Sequence, residues 1–318
     1  MDVEQQTAQI TLLAPAKINL SLKILKKRED GYHELETLMQ KISLYDELTL
    51  CLTEKPGVHI HCIHCLETAF PHLPYLSHLP HDEKNIAVQA AQLFLNETGN
   101  REQGVSILLK KNIPIAAGLG GGSSDAAAVL NGLNQLLQTD CSVQQRAAIG
   151  GQIGSDVPLF VYDFQAAYAT GRGEQLTKAP SLKGYQVLLV NPGIQVSTQW
   201  AYETFSSTER KIPLTEEQKA SIFSCSKKCR NKATPMLTQQ FTIAEDLQND
   251  LEQVTGERYP VIQQLKEYLL VSGAAGAMMS GSGSTVFGLF HQKDAAKAKQ
   301  CFSLLQQKYN QVYLVTPL

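Results

Sequence analysis

The sequence contains no apolar run near the roughly 20 residues that a membrane-spanning helix requires. Its most apolar early stretch, residues 11–25, is interrupted by Lys17, Asn19 and Lys23. The opening MDVEQQTAQI lacks the basic-then-apolar order of a secretory signal. Charge of one sign is missing too. Against 28 Lys and Arg stand 30 Asp and Glu, a formal −2, without the positive excess of a nucleic-acid binder. Seven cysteines, an odd number with no export signal, are expected as reduced thiols and not as a disulfide framework. No fixed-period repeat is present. What remains is a cytoplasmic globular protein. Its 318 residues and 43% hydrophobic content can offset the entropy of ordering, which excludes disorder for most of the chain. That length suggests about two domains.

Alternation through residues 18–24 predicts a half-buried strand, residues 26–31 a turn tightest at Asp30-Gly31, and residues 47–52 another strand. Residues 54–84, rich in Pro and His, read as strand plus loop. A helix is expected from Asn85, with Ile86, Ala90, Leu93 and Phe94 on one face, and a buried strand over residues 105–109. Ala126, Val129, Leu130, Leu133 and Leu137 recur at helical spacing. Ser123 or Ser124 is the expected N-cap there, with Asp125 at the positive end of the dipole. Farther on come a strand at 186–190, a turn at Asn191-Pro192-Gly193, and a polar stretch at 206–240 that reads as loop or surface helices. A helix at 262–270, a strand at 285–290, a helix at 293–309 and a strand at 312–315 complete the pattern. The expected domains are residues 1–170 and 171–318, with the boundary somewhere in 163–184.

Glycine is ordinary in total, 22 residues, and unusual in placement. Four lie within residues 118–122 and five within 273–288. The first cluster sits between a strand and a helix, where amides without a neighbouring Cβ approach an anion and the helix N-terminus adds free N–H groups. Lys110 and Lys111 just upstream could add charge. No Gly-Lys-Ser/Thr follows, so this is not a Walker A loop. Only one residue separates Gly120 from Gly122, where the dinucleotide fingerprint needs two, so it is not that motif. Phosphate binding and a plain glycine turn both remain open.

Near the N-terminus, Pro15-Ala16-Lys17-Ile18-Asn19-Leu20 places Lys17 and Asn19 on one face of a strand. Tyr32-His33 follows directly on the Asp30-Gly31 turn. Together with the glycine cluster through Asp125, these segments resemble the GHMP kinase superfamily. Further matches are Ile153-Gly154-Ser155-Asp156-Val157-Pro158, Asn249-Asp250-Leu251-Glu252 and Ser280-Gly281-Ser282-Gly283-Ser284. The resemblance runs from about residue 14 to residue 290.

The resemblance implies a two-domain α+β GHMP kinase fold, an N-terminal ribosomal-protein-S5-like domain and a C-terminal ferredoxin-like α/β domain, with a cleft between them. It implies ATP-dependent phosphorylation of an alcohol. The pairing of Pro-Ala-Lys-Ile-Asn-Leu with Asp-Gly-Tyr-His points to the branch that acts on the 2-hydroxyl of a cytidine diphosphate-linked methylerythritol, in the non-mevalonate route to isoprenoids. Asp156 matches the catalytic base and Lys17 its electrostatic partner. Pro114, Ile115, Ala116, Ala117, Gly118, Leu119, Gly120, Gly121, Gly122, Ser123 and Ser124 match the ATP phosphate loop, and Asn85 a position near the adenine. Asn19, Tyr32, His33, Thr198 and Tyr202 match substrate-holding positions. The base-stacking aromatic is either Trp200 or Tyr202, and spacing favours Tyr202. Mg²⁺ is implied as the partner of ATP. The implied partner is a small molecule, with no nucleic acid and no membrane, in a monomer or weak homodimer.

Plainer readings stand beside these. Asp156 could cap the turn before Pro158, and Asn85 could be a helix N-cap. The chain could be another GHMP kinase acting on mevalonate, homoserine or a sugar, or a nucleotide-binding regulator without chemistry. His59, His61, Cys62, His64 and Cys65, with Cys225 and Cys229, invite a zinc site. On a strand, however, His59 and His61 share one face while Cys62 and His64 share the other, so no metal site is expected.

Overall fold

The first half of the chain is organised by two long strands. The computed structural model describes residues 8–64, 80, 82–209 and 241–318. In it, β1 (Gln9–Lys27) and β2 (His33–Thr53) form an antiparallel hairpin across the expected turn. The strand anticipated at 47–52 is the far end of β2. Ala16, Ile18 and Leu20 enter one core, and the two-residue period sends Lys17, Asn19 and Ser21 to the opposite face. Almost every residue from Ala14 to Leu22 is buried, because both faces of this hairpin are covered.

Outward from β2 lie β4 (Gly104–Lys111) and, parallel to it, β3 (Gly57–His64) at the edge. A hairpin of β5 (Ala166–Thr170) and β6 (Gln175–Ala179) joins the same sheet through β2. The expected division after residue 170 therefore falls inside a hairpin of the first sheet. The chain leaves that sheet only between Ala179 and the start of β7 (Tyr185–Asn191), because backbone pairing and not composition sets the boundary. Among the described residues four helices cover one face: α1 (Ile86–Glu97), α2 (Gly121–Leu136), α3 (Val143–Ile153) and α4 (Val157–Val161). Phe94, Val129, Leu130 and Leu133 pack there on Leu48, Leu50, Ile107 and Leu109. Burying such side chains stabilises by about 1.5–3 kcal/mol each, which fixes the ends of α1 and α2 relative to the sheet.

After β7 come α5 (Thr198–Glu209), α6 (Ile243–Asp246), the two-residue β8 (Gln248–Asn249), α7 (Asp250–Arg258) and α8 (Val261–Val271). The chain ends with β9 (Gly276–Met279), β10 (Val286–His291), α9 (Ala295–Gln306) and β11 (Gln311–Val315). Strands β7, β9, β10 and β11 form an antiparallel sheet in the spatial order β11-β7-β10-β9. That is the fourth, first, third and second strand of a ferredoxin-like unit, as expected. Helices α8 and α9 pack on it. Residues 210–240, most of the polar stretch, lie outside the described residues. The two sheets share a core in which Ile18, Ile42 and Leu44 meet Val187, Leu189 and Phe287. Strand β8 returns to pair with β1 in the first sheet. Among the described residues no helix is long and apolar enough to cross a membrane.

Candidate active site

The loop after β4 can take its shape only with glycine. Gly118 and Gly120 have φ of 77° and 70°, which L side chains rarely adopt. A Cβ on Gly118 would lie 1.9 Å from the Ser280 carbonyl oxygen, so the loop and the second glycine turn touch backbone to backbone. Gly120, and neither Ser123 nor Ser124, is the N-cap of α2. The helix thus begins earlier than expected, because a left-handed residue ends the loop there and Gly121 and Gly122 become its first residues. Side chains from distant segments lock this junction. Ser280 Oγ donates to the Gly118 carbonyl (2.9 Å) and accepts from the Asn19 amide (3.3 Å). The Lys17 amide donates to the Leu119 carbonyl at 2.9 Å. Asn249 Nδ2 donates to the carbonyls of Met279 and Gly281, each at 2.8 Å, while its Oδ1 caps α7.

Above the loop stands the pair that could do chemistry. Lys17 Nζ lies 3.3 Å from Asp156 Oδ2 and 2.7 Å from Asn19 Oδ1. Asn19 Nδ2 donates to Thr37 Oγ1 at 2.8 Å, and that hydroxyl donates to the Ser21 carbonyl at 2.6 Å. A buried ammonium is thereby oriented by a chain of bonds that starts in the β1 backbone. Asp156 occupies the N-cap position of α4 yet makes no capping bond, and its side chain is 32% exposed. The carboxylate that could have been a turn cap is instead presented to solvent beside a cation.

At the other end His33 and Tyr202 stack with centroids 5.2 Å apart, and His33 Nε2 meets Ser206 Oγ at 2.5 Å. Burial, and then the charge of Lys27, lowers the His33 pKa, so the imidazole is neutral near pH 7 and able to read a neutral partner by hydrogen bonds. Burial, followed by the Asp156 charge, pushes the Tyr202 hydroxyl up, so it stays protonated. Thr198 Oγ1 and Ser282 Oγ, 3.0 Å apart, close the wall from the second sheet's side. One cleft of about 1070 Å³ runs from Asn85 and the glycine loop past Lys17 and Asp156 to Tyr32, His33 and Tyr202.

Sequence comparison agrees with this architecture. The profile of the GHMP kinases N terminal domain matches residues 85–164, and that of the GHMP kinases C terminal region matches residues 237–305. A 4-diphosphocytidyl-2-C-methyl-D-erythritol kinase of Desulfotalea psychrophila is 41% identical over 312 residues, covering 98% of this chain and 95% of its own. The chain belongs to the 4-diphosphocytidyl-2-C-methyl-D-erythritol kinase family. A solved 4-(cytidine 5'-diphospho)-2C-methyl-D-erythritol kinase superposes with a TM-score of 0.69 at 29% identity, over 96% of this chain and 98% of that one. A homoserine kinase from Cytophaga hutchinsonii has the same TM-score, 0.69, at only 22% identity, over 100% of this chain and 97% of that one, and shows the shared fold alone.

In this kinase family member the expected site residues line the one cleft, with a single exception. Ser124 is 1% exposed and lies beneath the loop, its hydroxyl without a partner among the described residues. Asn85 is at once a cleft residue and the N-cap of α1. Its Oδ1 accepts from Ala87 N at 3.0 Å and its Nδ2 donates to the Pro80 carbonyl at 2.8 Å. Trp200 turns away, edge-on to Tyr259 and beneath the Arg258 guanidinium, which leaves Tyr202 facing the cleft.

The two lysines upstream of the loop are both paired with carboxylates. Lys110 pairs with Glu47 at 2.6 Å. Lys111 is buried between Asp46 and Asp125, with Asp125 Oδ2 at 2.7 Å. Burial works against the ammonium, but Asp125 and Asp46 together hold its pKa above the ordinary value. Asp125 is likewise no dipole partner at the helix mouth. Burial raises its carboxyl well above the usual range, Lys111 notwithstanding. Asp46 Oδ1 accepts from the amides of Asn112 and Ile113 (2.6 and 2.9 Å), so this ionic knot braces the start of the loop from below.

Sequence reasoning missed Asn249 and Thr37 as shapers of the site and did not single out Arg172, which also lines the cleft. Asn249 and Ser280 stood in matched motifs, but nothing local says that they clasp the loop. On β3, His59 and His61 are exposed while Cys62 and His64 face inward, the alternation expected of them. Cys65, Cys225 and Cys229 lie outside the described residues.

Proposed function

We propose that this enzyme transfers the γ-phosphate of ATP to the 2-hydroxyl of 4-diphosphocytidyl-2-C-methyl-D-erythritol, releasing ADP. The observation that carries the reading is the Asp156 carboxylate, uncommitted as a cap and 3.3 Å from the buried Lys17 ammonium, midway along the cleft. Asp156 takes the proton of the substrate hydroxyl as its oxygen bonds to the γ-phosphorus and the bond to the β–γ bridging oxygen breaks. Lys17, oriented by Asn19, offsets charge on the phosphoryl group in flight. The amides of residues 118–123 and the N-terminus of α2 hold the ATP phosphates, with the adenine toward Asn85.

Mg²⁺ bound with ATP would supply neutralisation of the phosphate charge. Among the described residues no three His, Cys, Asp or Glu converge as a cage. An ion carried mainly on phosphate oxygens asks only for donors such as Asp156 and the Ser123 hydroxyl, both on the cleft wall. His33 and Tyr202, with Tyr32 and Thr198, hold the cytidine end. The near-balanced charge of −2 and the seven cysteines support a cytoplasmic enzyme of small molecules that engages neither nucleic acid nor membrane.

The test is ADP release with ATP and a panel of acceptors. Turnover is expected with the cytidyl substrate and not with mevalonate, homoserine or sugars. Turnover of one of those alcohols, with none of the cytidyl compound, would reject the assignment.

A further inference from the structure

The β5–β6 turn carries a cation that reaches the cleft and that no expected site residue accounts for. Gly171 and Gly173, with φ of 72° and 110°, flank Arg172 and fold it into a tight turn. The turn is tied to β2 by one hydrogen bond and lies near the loop of Asp156. Leu35 N, two residues beyond His33, donates to the Gly171 carbonyl at 2.8 Å. On the other side Ser155, the neighbour of Asp156, lies 3.9 Å from where a Gly173 Cβ would stand. Arg172 is therefore held between the strand that bears His33 and the loop that bears Asp156.

Its guanidinium is 5.0 Å from the centre of the Tyr32 ring, which is otherwise 58% exposed. Its contact with Glu174 spans 3.8 Å from Nε, far longer than a charge-assisted hydrogen bond, and the side chain remains 33% exposed. Glu174 Oε2 is taken instead by the Arg172 amide at 2.7 Å. Elsewhere in the cleft Lys17 is engaged by Asp156 and Asn19 and Lys111 is enclosed by two carboxylates, while Lys27 and Lys84 also stand on the wall but are not stacked on Tyr32 as Arg172 is.

Resting on the proposed substrate, a geometric requirement follows. The base lies toward His33 and Tyr202 and the reacting hydroxyl toward Asp156, so the diphosphate that joins them spans the ground between. We propose that Arg172 binds that diphosphate, using the Tyr32 ring as a platform that pre-orients its planar fork. A guanidinium matches two phosphate oxygens bidentately and stacks on aromatic faces, which a lysine cannot do equally well. ATP also carries a diphosphate, but its loop is at residues 118–123, whereas Arg172 sits beside Tyr32, so the substrate is the assigned source.

The experiment compares wild type, Arg172→Gln and Arg172→Lys in titrations with CDP and with cytidine, in the presence of a saturating non-hydrolysable ATP analogue. KM for ATP is measured in parallel. Arg172→Gln is expected to weaken CDP by about tenfold or more, the worth of a charge-assisted phosphate contact, while cytidine and ATP stay within roughly twofold. Arg172→Lys should recover part of the loss. Equal weakening of CDP and cytidine would assign the arginine to holding the ring and overturn the proposal. So would an unchanged CDP affinity, or a loss confined to ATP. A wild-type protein that binds neither CDP nor cytidine would bring down the substrate reading itself, and this inference with it.

Discussion

Replacing Asp156 by Asn separates chemistry from architecture. The substitution keeps the shape of the side chain at a position that makes no cap bond, so α4 loses nothing. The ion pair with Lys17 is bordered by solvent on the Asp side, where exposure is 32%, and after screening it contributes no more than about 1 kcal/mol to stability. Lys17 retains its bond to Asn19 Oδ1 at 2.7 Å, which keeps the ammonium in place. Loss of the group that accepts the hydroxyl proton lowers the rate by about 10²–10⁴, equivalent to about 3–5 kcal/mol on the barrier. Chemistry should therefore suffer several times more than folding. Single-turnover ADP formation at saturating substrates reads the first quantity, thermal unfolding the second, and equilibrium titration the affinity for ATP, expected within about twofold of wild type. A rate within about tenfold of wild type would remove Asp156 from the proton transfer. A parallel collapse of ATP affinity would show that the loop, and not the base, had been damaged.

Two further substitutions probe the scaffold. Lys111→Met strands Asp46 and Asp125, whose side chains are 0% and 3% exposed, without their cation, and should cost about 3–5 kcal/mol at pH 7. Burial raises the Asp125 carboxyl above its unfolded value and Lys111 holds it down, so removing Lys111 raises it further, a penalty present at pH 7 and relieved as pH falls through the folded pKa. The deficit of the variant should accordingly narrow as pH falls from 7 toward about 4; a gap in denaturant midpoint that stays constant with pH would refute this origin. Gly118→Ala sets a Cβ 1.9 Å from the Ser280 carbonyl at a φ of 77°, whereas Gly122→Ala meets only Ile86 Cγ2 at 3.3 Å. The first should lower the melting temperature and weaken ATP far more than the second, and equal effects would show that the loop does not rest on the Ser280 turn.

Much of this was legible from local signals. The β1 alternation set Lys17 and Asn19 on one face, the glycine spacing marked a loop opening a helix, and Asn85 announced an N-cap. Each depends on backbone torsion or a bond spanning a few residues, so neighbouring residues suffice to decide it. Where α2 begins was less legible, because a left-handed Gly120 and a serine cap compete on equal terms until the Gly118–Ser280 contact, 162 positions apart, chooses between them.

By itself the sequence determined the elements, the chemistry-bearing motifs and the class of reaction. Only the tertiary structure decided what each charge was for. Lys110 and Lys111 looked alike beside the glycine loop, yet one meets Glu47 at the sheet surface and the other is enclosed by Asp46 and Asp125. Asp156, which taken alone could equally have capped a turn, faces Lys17, and Arg172, in no motif, was set over Tyr32 by a hairpin. Electrostatic roles depend on burial and on partners far away in the chain, and those exist only once the sheets have packed.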